Sequence, residues 1–155
     1  MMYIALFAYA AAMVAANLLV SVFGPIITPL NAFVLIGFDL AMRDWLHIRL
    51  RAWQMLALIA ATGAITYGLN PAAGVIAVAS AVSFTTAALV DWSVFSVVKG
   101  SWFKRANVSN VAGAAVDSLM FPTIAFGVLL PHIVAMQFVA KVTGGALWAW
   151  VLRRA

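Results

Sequence analysis

The chain has 155 residues, 66% of them hydrophobic and only 8% charged, against about half apolar and a quarter charged in an ordinary soluble domain. That leaves too little polar surface to face water; the length suits one domain, residues 1–155, in which spans of about 20 residues cross a bilayer several times. Cysteine is absent, which excludes disulfides, thiolate zinc sites and cysteine nucleophiles, and the net charge of +5 falls in short clusters between apolar spans, a membrane-topology pattern rather than a nucleic-acid surface.

Six apolar spans follow one another: about Met2–Phe23, Thr28–Leu46, Trp53–Leu69, Ala72–Val98, Asn107–Leu130 and Pro131–Leu152. The first has no charged leader and is longer than a signal-peptide core, so it reads as a retained helix. Ala8, Ala12 and Ala16 make a small-residue stripe on it, open to another helix of this chain or of a partner, and similar residues elsewhere fit a homodimer. Asn17, near the outer third of the same span, needs hydrogen-bond partners, either structural or from a bound substrate.

The second span carries Asp39 and Arg43 at i and i+4, an ion pair or topology anchor on one reading and a gating pair on the other. Asp44, His47, Arg49 and Arg51 read as a solvated loop. In the fourth span Asp91 sits beside Trp92 and two turns inside Lys99; pairing with a basic neighbour is its bland reading, substrate contact its sharper one. The fifth places Ser109, Gly113 and Asp117 on one face, with Arg105 before them and Pro122 after. In the sixth, Lys141 is too far from either end to snorkel, so a salt bridge to Asp117 or Asp91 is its simplest account.

The connections alternate in charge. Gly24 to Ile27, Asn70–Pro71 and Pro131–His132 hold no Lys or Arg, whereas Arg43 to Arg51, Lys99 to Arg105 and the tail Arg153–Arg154 hold all of them except Lys141. Under the positive-inside rule both termini are cytoplasmic, in keeping with an even number of spans. Composition and pattern together predict an all-α membrane protein, a compact bundle of six transmembrane helices. No phosphate-binding, dinucleotide, HExxH or GxSxG pattern appears, so neither a nucleotide-driven pump nor a common hydrolase has support, and no cofactor or metal is expected. Polar groups converging in an apolar interior describe a small-molecule site.

At four places the chain resembles the VUT family, the queuosine precursor transporters: Phe38 to Arg43; Val82 to Phe95; Arg105 through Ser109, Gly113, Asp117, Ser118 and Phe121 to Phe126; and Lys141. With Asn17 they cover nearly the whole chain in order. The chain is shorter than most relatives, and Val116 stands where the family often has an amide, which puts the exact substrate preference in question. The resemblance implies a bacterial inner-membrane transporter, similar in fold to energy-coupling-factor substrate-binding subunits. Its cargo would be 7-cyano-7-deazaguanine or the aminomethyl analogue, salvaged for tRNA modification.

On that reading Asp117, then Asp91, accepts the N–H donors of a guanine-like edge. Asn17 reads the base, Ser109 and Lys141 complete the polar set, and Phe84, Phe121 and Trp92 offer stacking faces. Two rival readings stay open: a substrate-binding subunit that needs a coupling protein, and an intramembrane enzyme with Asp91 and Asp117 as an acid/base pair.

Overall fold

In lipid every backbone polar group must be satisfied within the chain, so apolar runs of this length become helices. The computed structural model describes residues 2–153. Its helices are α1 (Met2–Phe23), α2 (Thr28–Asn31), α3 (Gly37–His47), α4 (Ala52–Leu69), α5 (Gly74–Val97), α6 (Trp102–Phe126) and α7 (Pro131–Leu152), and no strand occurs among the described residues. Between α2 and α3 the residues Ala32–Ile36 are wound as a π-helix, so positions 28 to 47 form one continuous rod. Three stretches are long and apolar enough to cross a membrane, Met2–His47, Pro71–Val97 and Pro131–Leu152, and α4 is a shorter apolar helix. Arg154, read above as part of the basic tail, lies outside the described residues.

The 46-residue first stretch is folded back on itself. Gly24 adopts φ 64°, a left-handed conformation that costs glycine nothing and ends α1, and Pro25 begins the turn that follows. The fold-back is antiparallel: Asn31 Nδ2 donates to Ala16 O at 3.0 Å, and Tyr9, Met13, Met42 and Leu46 share one apolar cluster. Asn70 punctuates the α4–α5 turn, accepting from Ala72 N at 3.1 Å and donating to Ser21 Oγ at 3.0 Å.

The fifth element departs from its expected bounds. Ser101 caps the helix by accepting from Lys104 N at 3.3 Å, so α6 starts at Trp102, before the basic residues rather than after them. It runs through Pro122 and stops at Phe126, where Gly127 turns left-handed, instead of reaching Leu130.

Helix α5 packs along α6, α7 along both α3 and α6, and α1 against α4 and α5. This arrangement brings the turns after α3, α5 and α7 to one end of the bundle, and with them Arg49, Arg51, Lys99, Lys104, Arg105 and Arg153. Large apolar side chains such as Tyr3, Phe7, Ile26 and Val139 are more than half exposed, whereas all four aspartates are buried, so the outside suits lipid and the inside is polar. Three apolar clusters, which include Tyr9, Val20 and Phe95 respectively, make up the apolar packing.

Where α7 crosses the rod 28–47 the two backbones nearly touch. A Cβ added to Gly37 would stand 2.6 Å from Gly144 C, and one added to Gly144 would run into the Phe33 carbonyl. The Val34 carbonyl, within the π-wound segment, accepts from Trp148 Nε1 at 3.0 Å. Gly144→Ala is therefore expected to destabilise by about 3 kcal/mol, the upper end for overpacking. Gly68→Ala, with nothing within 4 Å of its added Cβ, should be neutral or gain up to about 1 kcal/mol of helix propensity. Melting temperatures in detergent would separate the two; equal values would remove the close-packing account.

Candidate functional site

Lys141, one of the largest fully buried side chains, lies near the middle of α7. Its Nζ makes an ion pair with Asp117 Oδ2 on α6 at 2.8 Å and donates to Gln137 Oε1, one turn back, at 2.9 Å. These groups line a cavity of about 20 Å³, room for a single water. Asn17 and Ala16 of α1, Thr28 and Asn31 of α2, Ser80 and Phe84 of α5, and Phe121 of α6 contribute to its walls. Five elements therefore converge on one polar point, walled by two aromatic rings.

Asn17 is engaged at both ends, donating to Thr66 Oγ1 at 3.4 Å and accepting from Ser80 Oγ. Thr28 donates to Pro25 O at 2.7 Å. By contrast Asp117 Oδ1, Asn31 Oδ1 and Gln137 Nε2 are buried without a hydrogen-bond partner. Of the expected site residues, the fold thus brings Asp117, Lys141, Asn17, Phe84 and Phe121 together. Lys141 takes its simplest partner, Asp117.

The remaining candidates gather nearer the basic end. Asp39 and Arg43 form a buried i, i+4 ion pair on α3. Asp91 packs against α6 at Gly113, where an added Cβ would stand 3.2 Å from Asp91 Cβ, so the space beside that glycine is filled by the aspartate itself. Ser109 Oγ is 3.5 Å from both carboxyl oxygens of Asp44 and 3.2 Å from Ala106 O. Trp92 is half exposed and stacks on His47 with ring centroids 5.8 Å apart. A second cavity of about 350 Å³ opens here, reaching Arg43, His47, Arg51, Asp91 and Trp92. Arg105 belongs to neither group: its Nε and Nη2 donate to Phe95 O at 3.0 and 2.9 Å, and its guanidinium lies 4.1 Å over the Phe95 ring, tying the end of α5 to the start of α6.

Two positions expected in a solvated loop belong to α3 instead: His47 ends the helix, half-buried against Trp92 and Phe95. Asp44 is not in a solvated loop but is fully buried, because α3 continues to His47 and turns this position toward Ser109 of α6. Arg49 and Arg51, past the helix, are exposed as expected. Among the cavity residues that were not anticipated, Asn31 and Gln137 are the two that keep a polar atom without a partner. Gln137 could have been found from its place one turn before Lys141, and Asn31 as an amide in an otherwise apolar run.

With this geometry in hand, the comparisons with known proteins are narrow. The model of a family described as "putative vitamin uptake transporter" matches residues 3–154. No protein of curated function and no solved structure gives a significant match.

Removing one member of a buried ion pair leaves the other charge uncompensated, at a cost of about 3–5 kcal/mol. Arg43→Met alone should lower the stability by that order, while Asp39→Leu together with Arg43→Met should recover most of it, as read by denaturation in detergent. A double variant no more stable than the single one would show that Arg43 matters through something other than Asp39.

Proposed function

We propose, for a chain that belongs to the vitamin uptake transporter family, that the cargo is a 7-deazaguanine base, 7-cyano-7-deazaguanine or its aminomethyl analogue. The observation that carries this reading is the buried Asp117–Lys141 pair, which leaves one carboxylate oxygen of Asp117 free in a cavity walled by Phe84 and Phe121. A planar, apolar-faced base with N–H donors along one edge suits such a place: the rings take its faces, and the carboxylate accepts in a charge-assisted hydrogen bond. Lys141 pairs with Asp117 Oδ2 and so orients the carboxylate. The site has contributions from α1, α2, α5, α6 and α7, so small rotations of these helices would open it to one side or the other.

At about 20 Å³ the cavity is too small to hold a base. Loading it requires Phe84 or Phe121 to swing and the helices to part, as expected of an occluded state in alternating access. The wider cavity beside Arg43, Asp91 and Trp92 supports an approach from the basic end. We infer six crossings of the bacterial inner membrane with both termini inside, supported by the collection of the basic residues at one end of the bundle. The family places the protein among transporters, and no catalytic role is assigned to Asp91 or Asp117, which make separate contacts.

Three measurements test this reading. Thermal stabilisation by 7-deazaguanine bases against control purines should be selective for wild type and lost in Asp117→Asn, with stabilisation growing as concentration passes the dissociation constant; a folded protein that responds to none of them has another cargo. Uptake by the purified chain alone in liposomes is expected, and its absence in a binding-competent sample would favour a substrate-binding subunit that needs a coupling protein. The chain has no cysteine, so single replacements report topology directly. In intact cells a membrane-impermeant maleimide should label Ile26→Cys and spare Ile48→Cys; the opposite pattern would invert the orientation.

A further inference from the structure

Three side chains around the cavity are each tied at one end and free at the other. Asn31 donates through Nδ2 to Ala16 O at 3.0 Å, which sets the orientation of its amide and leaves Oδ1 without a partner. Lys141 Nζ occupies Gln137 Oε1 at 2.9 Å and Asp117 Oδ2 at 2.8 Å, which leaves Gln137 Nε2 and Asp117 Oδ1 without partners. Their exposures are 6%, 1% and 2% for Asn31, Gln137 and Asp117, so water does not satisfy them from outside. Buried polar atoms are almost always hydrogen-bonded, and here three that are not line the same small cavity. The neighbouring polar groups differ: Asn17 is used at both ends and the Thr28 and Ser80 hydroxyls are already donating.

The anchored ends decide what the free ends offer, two acceptors and one donor. Resting on the transport reading above, we propose that Asn31 Oδ1, Asp117 Oδ1 and Gln137 Nε2 form the donor–acceptor set that selects the cargo by its ring edge. Asn31 and Gln137 are thus specificity residues of the site. The complementary ligand carries two N–H donors beside one carbonyl acceptor, the edge of a lactam ring with an adjacent amino group. Gln137 donates to the ring carbonyl, Asp117 accepts the ring N–H and Asn31 accepts the amino group. A ring that lacks the amino group leaves Asn31 unpaired. A 6-amino ring in the same pose sets its amino donor against the Gln137 donor and its bare ring nitrogen against the Asp117 acceptor, and an unpaired buried group is what makes a hydrogen-bonding site reject an analogue.

The test is calorimetric titration of the full-length purified chain with 7-deazaguanine, 7-deazahypoxanthine and 7-deazaadenine. Wild type should bind the first at least about tenfold more tightly than either of the others. Gln137→Glu keeps an oxygen for Lys141 but replaces the free donor by an acceptor, so it should weaken 7-deazaguanine about tenfold or more while weakening 7-deazaadenine less. Asn31→Ala should cost 7-deazaguanine more than 7-deazahypoxanthine, which has no amino group to lose; a merely structural role would weaken both equally. Wild type binding all three alike, or variants losing them in equal proportion, would overturn the edge-reading set and leave transport of 7-deazaguanines standing. A folded wild type that binds none of the three would overturn the cargo and this inference together. Because the wild-type series needs no variant, it decides even where a substitution fails to fold.

Discussion

A lysine at the centre of an apolar helix is costly unless its charge is met by fixed partners at the same depth. Lys141 is met from two directions, by Asp117 of the neighbouring helix and by Gln137 of its own. The Asp39–Arg43 pair is local to α3, whereas Lys141 holds α6 and α7 in one register. Only in that register does Asp117 point one oxygen at the lysine and the other into the cavity. The charge that would be a burden in an empty interior is thereby turned into the means of orienting an acceptor.

That arrangement depends on backbone proximity. Gly37 and Gly144 let α7 approach the rod 28–47 until main-chain atoms meet, and the π-wound turn before Gly37 supplies a carbonyl for Trp148. Asn31 sits immediately before that π-wound turn and Gln137 two turns before Gly144, so the same crossing brings both toward the polar centre. The electrostatics are correspondingly sparse. Four buried aspartates are opposed inside the bundle by two buried cations among the described residues, Arg43 and Lys141. Asp39 and Asp117 have these as partners, while Asp44 and Asp91 instead meet α6 at Ser109 and Gly113, adjacent turns of one face. The polar interior therefore divides into a tight centre around Lys141 and a roomier, carboxylate-rich region nearer the basic end.

Much of this was legible in the chain itself. Composition and the alternation of charged and uncharged connections predicted apolar helices with basic residues at one end, and proline and glycine marked the turns. Spacing alone named the Asp39–Arg43 pair, since i and i+4 share a helix face whatever surrounds them. The depth of Lys141 demanded a carboxylate partner, and Asp117 was one of two named. Where the reading failed, it failed at helix ends: Asp44 was put in a loop because it sits in a charged run, yet α3 carries it inward before the run reaches water.

What the sequence could not decide was which polar groups meet. Ser109, Gly113 and Asp117 share one face of α6, but over two turns that face passes from the Asp44–Asp91 region to the Lys141 cavity, so a single stripe serves two places. Asn17 was open to a structural or a substrate partner and is used within the fold at both ends; Asn31 and Gln137 were not singled out and each keeps one end free. The sequence by itself determined the medium, the helices and the need to neutralise each buried charge, because those follow from hydrophobicity and helical periodicity, which are local. Only the tertiary structure decided which atoms are left without partners, because a hydrogen bond between helices depends on their crossing, and that is set by backbone contacts far apart in the chain.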